Sequence, residues 1–99
     1  MKIYKDEKLT QEIEDNTFDL GIVPAGETKQ FDFWVLNDSR AHLRTLEFIA
    51  EHREVKVVDY PMELKPSEHA KLVLEWSPSV TLKEGLKAVL RIRGIELWG

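Results

Sequence analysis

FDLGIVPAGETKQFDFWVLN, residues 18–37, sets two hydrophobic stretches on either side of a polar turn. Phe18 and Leu20 alternate with Asp19, and Gly21 follows them. VPAGE, residues 23–27, then supplies the proline and glycine of a turn. Beyond it Phe31, Phe33 and Val35 occupy every second position, with Gln30, Asp32 and Trp34 between them. A period of two puts alternate side chains on opposite faces of an extended strand. The stretch reads as strand, turn, strand. At residues 33–36, FWVL, the alternation is briefly lost, as in a strand covered on both sides or one with a partner on its outer face. NDSR, residues 37–40, ends it with turn residues.

The same stretch contains GIVPAGETK, two glycines and a lysine that invite comparison with a phosphate loop. Such a loop needs a dense glycine cradle, then Lys-Ser/Thr opening a helix. Here a proline removes an amide donor and the next segment alternates like a strand, so a β-turn is the reading.

Working outward, residues 2–12 carry only Ile3 and Tyr4 as an apolar signal, in charged surroundings. They form a short strand or an extended arm. Residues 13–22 are the first firm strand. AHLRTLEFIAEHREV, residues 41–55, fits a helix through Leu43, Leu46, Ile49 and Ala50, or a strand through Leu46, Phe48 and Ala50. Thr45, Phe48 and Ile49 favour the strand. Val55, Val57 and Tyr60 mark another, closed by Pro61. PMELKPSEH, residues 61–69, is a connector with Leu64 as a buried plug. Ala70, Leu72, Leu74 and Trp76 alternate with Lys71, Val73 and Glu75; Leu86, Ala88, Leu90 and Ile92 alternate with Lys87, Val89, Arg91 and Arg93. Gly94 interrupts that last face, and IELW is either its continuation past a bulge or a short final strand.

Six or seven short strands at roughly ten-residue spacing predict an all-β, two-sheet antiparallel sandwich, with a small barrel as the rival. Residues 1–12 form the arm or edge strand and residues 13–99 the domain. The expected core is Phe18, Leu20, Phe31, Phe33, Val35, Phe48, Val57, Leu72, Leu74, Leu90 and Ile92.

Composition narrows the function classes. An apolar share of 42% in 99 residues supports one core. With no cysteine there is neither a disulfide framework nor a thiolate metal site. The formal charge of −4 mainly favours solubility, and the scattered cations form no basic stripe for nucleic acid. The opening MKIYKDEKL is too charged for a secretory signal, and no apolar run approaches the roughly 20 residues that span a bilayer.

No motif carries chemistry. His42, His52 and His69 sit in different connectors or strand ends, where a metal would need them convergent. Glu12, Glu14 and Asp15 form a solvated acidic edge rather than a pair of catalytic carboxylates in a recess. Ser39, Ser67, Ser77 and Ser79 lie in turns, none in a nucleophile elbow. Asn37-Asp38-Ser39 formally matches a glycosylation acceptor. The tryptophans are more informative: Trp76 continues a core face, whereas Trp34 points away from its strand's core side and Trp98 lies next to the last residue. Interfaces favour aromatic anchors rimmed by polar residues, and a short exposed terminal strand offers its backbone to another chain.

Phe18, Gly21, Gly26, Phe31, Phe33, Asn37, Leu64, Pro66, Leu72, Leu74, Trp76 and Pro78 follow a layout that resembles the immunoglobulin-like ASH/MSP-type domains, over residues 18–94. The resemblance implies an immunoglobulin-like β-sandwich of about seven strands that binds and assembles rather than catalyses. The free-standing size, the charged arm and WSPSVTLKEGLKA look most like small bacteriophage virion proteins. Relatives that bind acidic peptides use a basic face, and none is visible here.

The expectation is therefore a non-enzymatic structural protein-binding module, a component or decoration of a viral particle; the alternative is a soluble adaptor for a peptide or protein. It needs no cofactor and no metal, and its partner is a protein or a further copy, not nucleic acid or membrane. Its location is the virion, or alternatively the cytoplasm. Tyr4, Trp34 and Trp98 are the expected contact residues, with Arg91 and Arg93 positioning a partner electrostatically.

Overall fold

The computed structural model of the chain describes residues 1–99 and contains eight strands. These are β1 (Lys2–Tyr4), β2 (Glu12–Ile13), β3 (Thr17–Gly21), β4 (Lys29–Leu36), β5 (His42–Ala50), β6 (Val55–Asp59), β7 (His69–Trp76) and β8 (Leu86–Leu97). One sheet has the order β2-β1-β4-β7-β6 and the other β3-β8-β5, and all pairings are antiparallel. The fold is all-β with two antiparallel sheets, as the alternating segments require.

The period-two segments place the core between the sheets. Phe18 from β3 meets Phe33 from β4 edge to face, ring centroids 4.8 Å apart. Around this pair Leu20, Val35, Phe48, Leu72, Leu74, Trp76 and Leu90 are buried, while Phe31, Val57 and Ile92 pack partly buried against them. Full burial of each such side chain contributes about 1.5–3 kcal/mol. Leu64 is the expected plug: it exchanges two backbone hydrogen bonds with Leu43. Val73, on the other face of β7, is buried too, which explains the near-continuous LVLEW run.

The ambiguous stretch after residue 41 is a strand with a bulge. Arg44 pairs with Ile95 and Glu47 with Arg93, so two residues of β5 oppose Gly94 alone. Thr45 takes up the excess with a φ of 54°. The extra residue moves the core-facing positions from Leu43 to Leu46, and this three-residue step is what resembled a helix. Gly94 is needed opposite: a Cβ there would lie 2.8 Å from Leu46 Cδ2 and 3.1 Å from the Arg44 carbonyl oxygen. The kink is therefore in β5, and β8 continues unbroken through Gly94 for 12 residues. At about 3.3 Å per residue that is roughly 40 Å of strand, and it accounts for the long dimension of a molecule measuring 48 × 25 × 19 Å.

The N-terminal segment is woven into the larger sheet. Ile3 lies opposite Val35 on one side and Ile13 on the other, and both isoleucines are buried. Between them Asp6 organises the loop, accepting hydrogen bonds from Thr10 and from the Gln11 amide.

Candidate protein-interaction surface

The expected contact residues fall into three groups. Tyr4 and Trp34 are cross-strand partners on the outer face of the five-stranded sheet, both half-buried. Arg91 and Arg93 project from the outer face of the three-stranded sheet, on the other side of the molecule. There Arg93 Nε meets Glu47 at 2.7 Å and Arg91 Nε meets Glu51 at 3.5 Å. Trp98 follows the end of β8. The structure thus joins Tyr4 to Trp34, and Arg91 to Arg93, but not the one pair to the other.

Beyond the bulge, β5 and β8 continue as a two-stranded ribbon, His42 opposite Leu97 and Arg44 opposite Ile95. Ile95, Leu97 and Trp98 are 54%, 45% and 66% exposed. Ile95 and Leu97 share the outward side of β8 because they are two residues apart. Their rim is polar: Glu63 lies 3.5 Å from both His42 Nε2 and Arg44 Nε. Arg40, His42, Pro66 and Trp98 line a shallow recess at the tip. On the inner side of the same ribbon a cleft of about 170 Å³ lies among Met1, Leu43, Leu46, Ile92, Gly94 and Glu96. Ile95 and Leu97 were absent from the expected contacts; their signal was IELW, an apolar alternation continuing after Gly94.

The other polar candidates have structural surroundings. Asn37 is fully buried, its Nδ2 donating to the carbonyls of Ala41 (2.8 Å) and Leu64 (2.9 Å), so this amide is inaccessible to a glycan. Its Oδ1 accepts from the Ser39 amide and hydroxyl. Ser77 shares a hydrogen bond with Thr28, and the Ser79 amide donates to Glu54. Hydrogen bonds from Ser79 hold the Glu54 carboxyl below its usual pKa. Glu12 and Glu14 line an open depression together with Lys5, Asp19 and Lys87. The histidines stay apart: His42 faces Glu63, His52 Nδ1 accepts from the Glu54 amide, and His69 is exposed at the start of β7. No three His, Asp or Glu side chains converge as metal ligands. GIVPAGETK is the β3–β4 connection, where the Gly26 amide donates to the Pro78 carbonyl and no helix follows. No helix of the chain is long and apolar enough to cross a membrane.

No family model matches the chain, and no curated protein or solved structure shows significant similarity to it. The resemblance to ASH/MSP-type domains accordingly extends as far as a small β-sandwich-like domain of two antiparallel sheets.

Proposed function

We propose that this chain is a non-enzymatic, immunoglobulin-like binding module, an adaptor that docks a protein partner on the tip of the β5–β8 ribbon. The observation that carries the reading is the exposure of Ile95, Leu97 and Trp98 at one end of the ribbon, where Leu97 and Trp98 line the same recess. Contiguous apolar surface with a polar rim is the composition of protein interfaces, in which buried aromatic anchors supply much of the binding energy. Trp98 is the anchor and Arg44 with His42 forms the rim. Tyr4 and Trp34 lie opposite each other on the far face and make a poorer anchor, because most of their surface is already covered. The viral-particle reading has only the sequence resemblance behind it, and no feature of the surface favours it over an adaptor.

The test is affinity isolation from extracts of the source organism with the wild-type chain and a Leu97→Ser, Trp98→Ala variant. The expected result is a saturable partner whose recovery falls about tenfold or more with the variant, the loss of one or more central contacts. Equal recovery by both chains would remove the tip as the docking surface.

A further inference from the structure

The hydrogen-bonding phase of β8 leaves part of it without a neighbour. Successive residues of a strand direct their N–H and C=O groups to opposite sides. The Leu90 amide donates to the Asn16 carbonyl on the β3 side, while the Val89 carbonyl accepts from Glu51 on the β5 side. Ile92, Gly94 and Glu96 therefore direct their backbone groups to the β3 side. But β3 reaches only Thr17, opposite Val89, before Asp15 and Asn16, with φ of 54° and 51°, turn the chain towards β2. From Ile92 to Leu97 that side of β8 pairs with nothing.

Other edges of the two sheets are blunted. β2 has two residues, β6 carries Lys56 and an irregularity between Val57 and Asp59, β3 shifts register between Asp19 and Gly21, and β5 carries the bulge at Thr45 and is bonded along its far side by Met62 and Leu64. Short edges, lysines and bulges discourage strand addition. The β8 edge has no lysine, proline or bulge of its own and adjoins the cleft lined by Met1, Leu43, Leu46 and Ile92.

We infer that the β8 edge from Ile92 to Leu97 accepts an added strand from a partner protein. That strand has apolar inner residues, a carboxylate facing Arg93 and a cation facing Glu96. The inference rests on the binding-module reading and specifies the partner's chemistry. An added strand would satisfy the free amides and carbonyls, and its inner side chains opposite Ile92 and Gly94 would enter the cleft. The charges set its pattern. Arg93 meets Glu47 through Nε, leaving guanidinium donors for a second carboxylate on its open side. Glu96 has no ion-pair partner and lines the cleft's inner side, where an opposing cation complements it.

The probe is the peptide acetyl-Thr-Lys-Thr-Val-Glu-Val-amide, laid antiparallel so that its lysine faces Glu96 and its glutamate faces Arg93. Its charge-swapped control is acetyl-Thr-Glu-Thr-Val-Lys-Val-amide. In the protein alone, the amides of Ile92, Gly94 and Glu96 should exchange rapidly with solvent and those of Arg91, Arg93 and Ile95 slowly. Adding the probe should shift and protect the first set. The control should bind about tenfold more weakly, and Arg93→Gln should weaken the probe about threefold while leaving the fold intact, from the usual strength of exposed charge pairs. N-methylating the probe's first valine, whose amide faces β8, should abolish binding. Slow exchange of the first set in dilute protein would overturn the inference, as would protection that grows with protein concentration alone, since the occupant would then be a second copy. Equal binding of probe and control would overturn it as well. If the probe fails while the Leu97→Ser, Trp98→Ala variant still loses a partner, strand addition is wrong and the module reading survives. If neither effect is seen, both fall.

Discussion

Asn37 is the buried polar hub of the fold, and its replacement by alanine gives the sharpest energetic test. Its side chain makes four hydrogen bonds: two donated to Ala41 and Leu64 carbonyls, and two accepted from Ser39. The damage is softened, because the Leu64 carbonyl still accepts from the Leu43 amide at 2.9 Å and Ala41 retains a long contact from the Ser39 hydroxyl at 3.4 Å. Two buried donated bonds at about 1 kcal/mol each, with the Ser39 groups partly resolvated, give a loss of about 2–4 kcal/mol for Asn37→Ala. Urea unfolding followed by tryptophan fluorescence reads this directly. With a urea slope of about 1–2 kcal/mol/M for a domain this size, the midpoint should fall by roughly 1–4 M at unchanged slope. Ser39→Ala, which removes only the hydroxyl's bonds, should cost about 1 kcal/mol. Asn37→Asp should be worse than Asn37→Ala at neutral pH, because a carboxylate would face two carbonyl oxygens in place of two donors. Its folded-state pKa would be raised, so the Asp variant should recover stability as pH falls and the group protonates. A loss below 1 kcal/mol for Asn37→Ala, or an Asp variant as stable as the Ala variant at pH 7, would refute this account of the hub.

Gly94→Ala should lower the melting temperature by about 5–15 °C, because the new Cβ strikes Leu46 and the Arg44 carbonyl; the range follows from an overpacking cost of about 1–3 kcal/mol. Thr45→Gly should raise stability by about 0.5–1 kcal/mol, since a β-branched residue is strained at a φ of 54°; a lower urea midpoint would count against the bulge. Glu54→Gln should flatten the acid limb of the stability curve. The folded-state pKa of Glu54 is depressed, first by Ser79, so its contribution is present above the unfolded value and is lost as pH falls through the folded one. Leu97→Ser and Trp98→Ala should each change the urea midpoint by less than 0.5 kcal/mol equivalent, roughly the limit for exposed sites, which makes them clean probes of binding.

What the sequence disclosed, and what it hid, follows from how local each signal is. The FDFWV alternation and the Leu72, Leu74, Trp76 series report directly on β4 and β7, because both strands bury that face, β7 adding Val73 from the other. Leu43 and Leu46 kept a helix open beside the favoured strand because a single inserted residue at Thr45 converts a step of two into a step of three. Ile3 and Ile13 gave almost no periodic signal; each is one residue of a very short strand, and their burial exists only through pairing across the sheet. Asn37 looked like a turn residue, and its role as a donor to Leu64 needs a partner 27 positions away. The candidate site was half legible. Trp98 was visible, and so was the idea that an exposed strand offers its backbone. The free edge was not, since it depends on where β3 turns away at Asp15 and Asn16, opposite a strand some 75 residues later.

The most direct test of the ribbon tip as the docking surface is site-specific photo-crosslinking in extracts of the source organism. A photoreactive residue would replace Trp98 in one version of the chain and Lys83, in the exposed loop before β8, in another. Docking at the tip should give a discrete, saturable protein adduct from position 98 that is absent from position 83 and is competed away by unlabelled wild-type chain. The same adducts from both positions, or none from position 98 with the folded chain in excess, would contradict it.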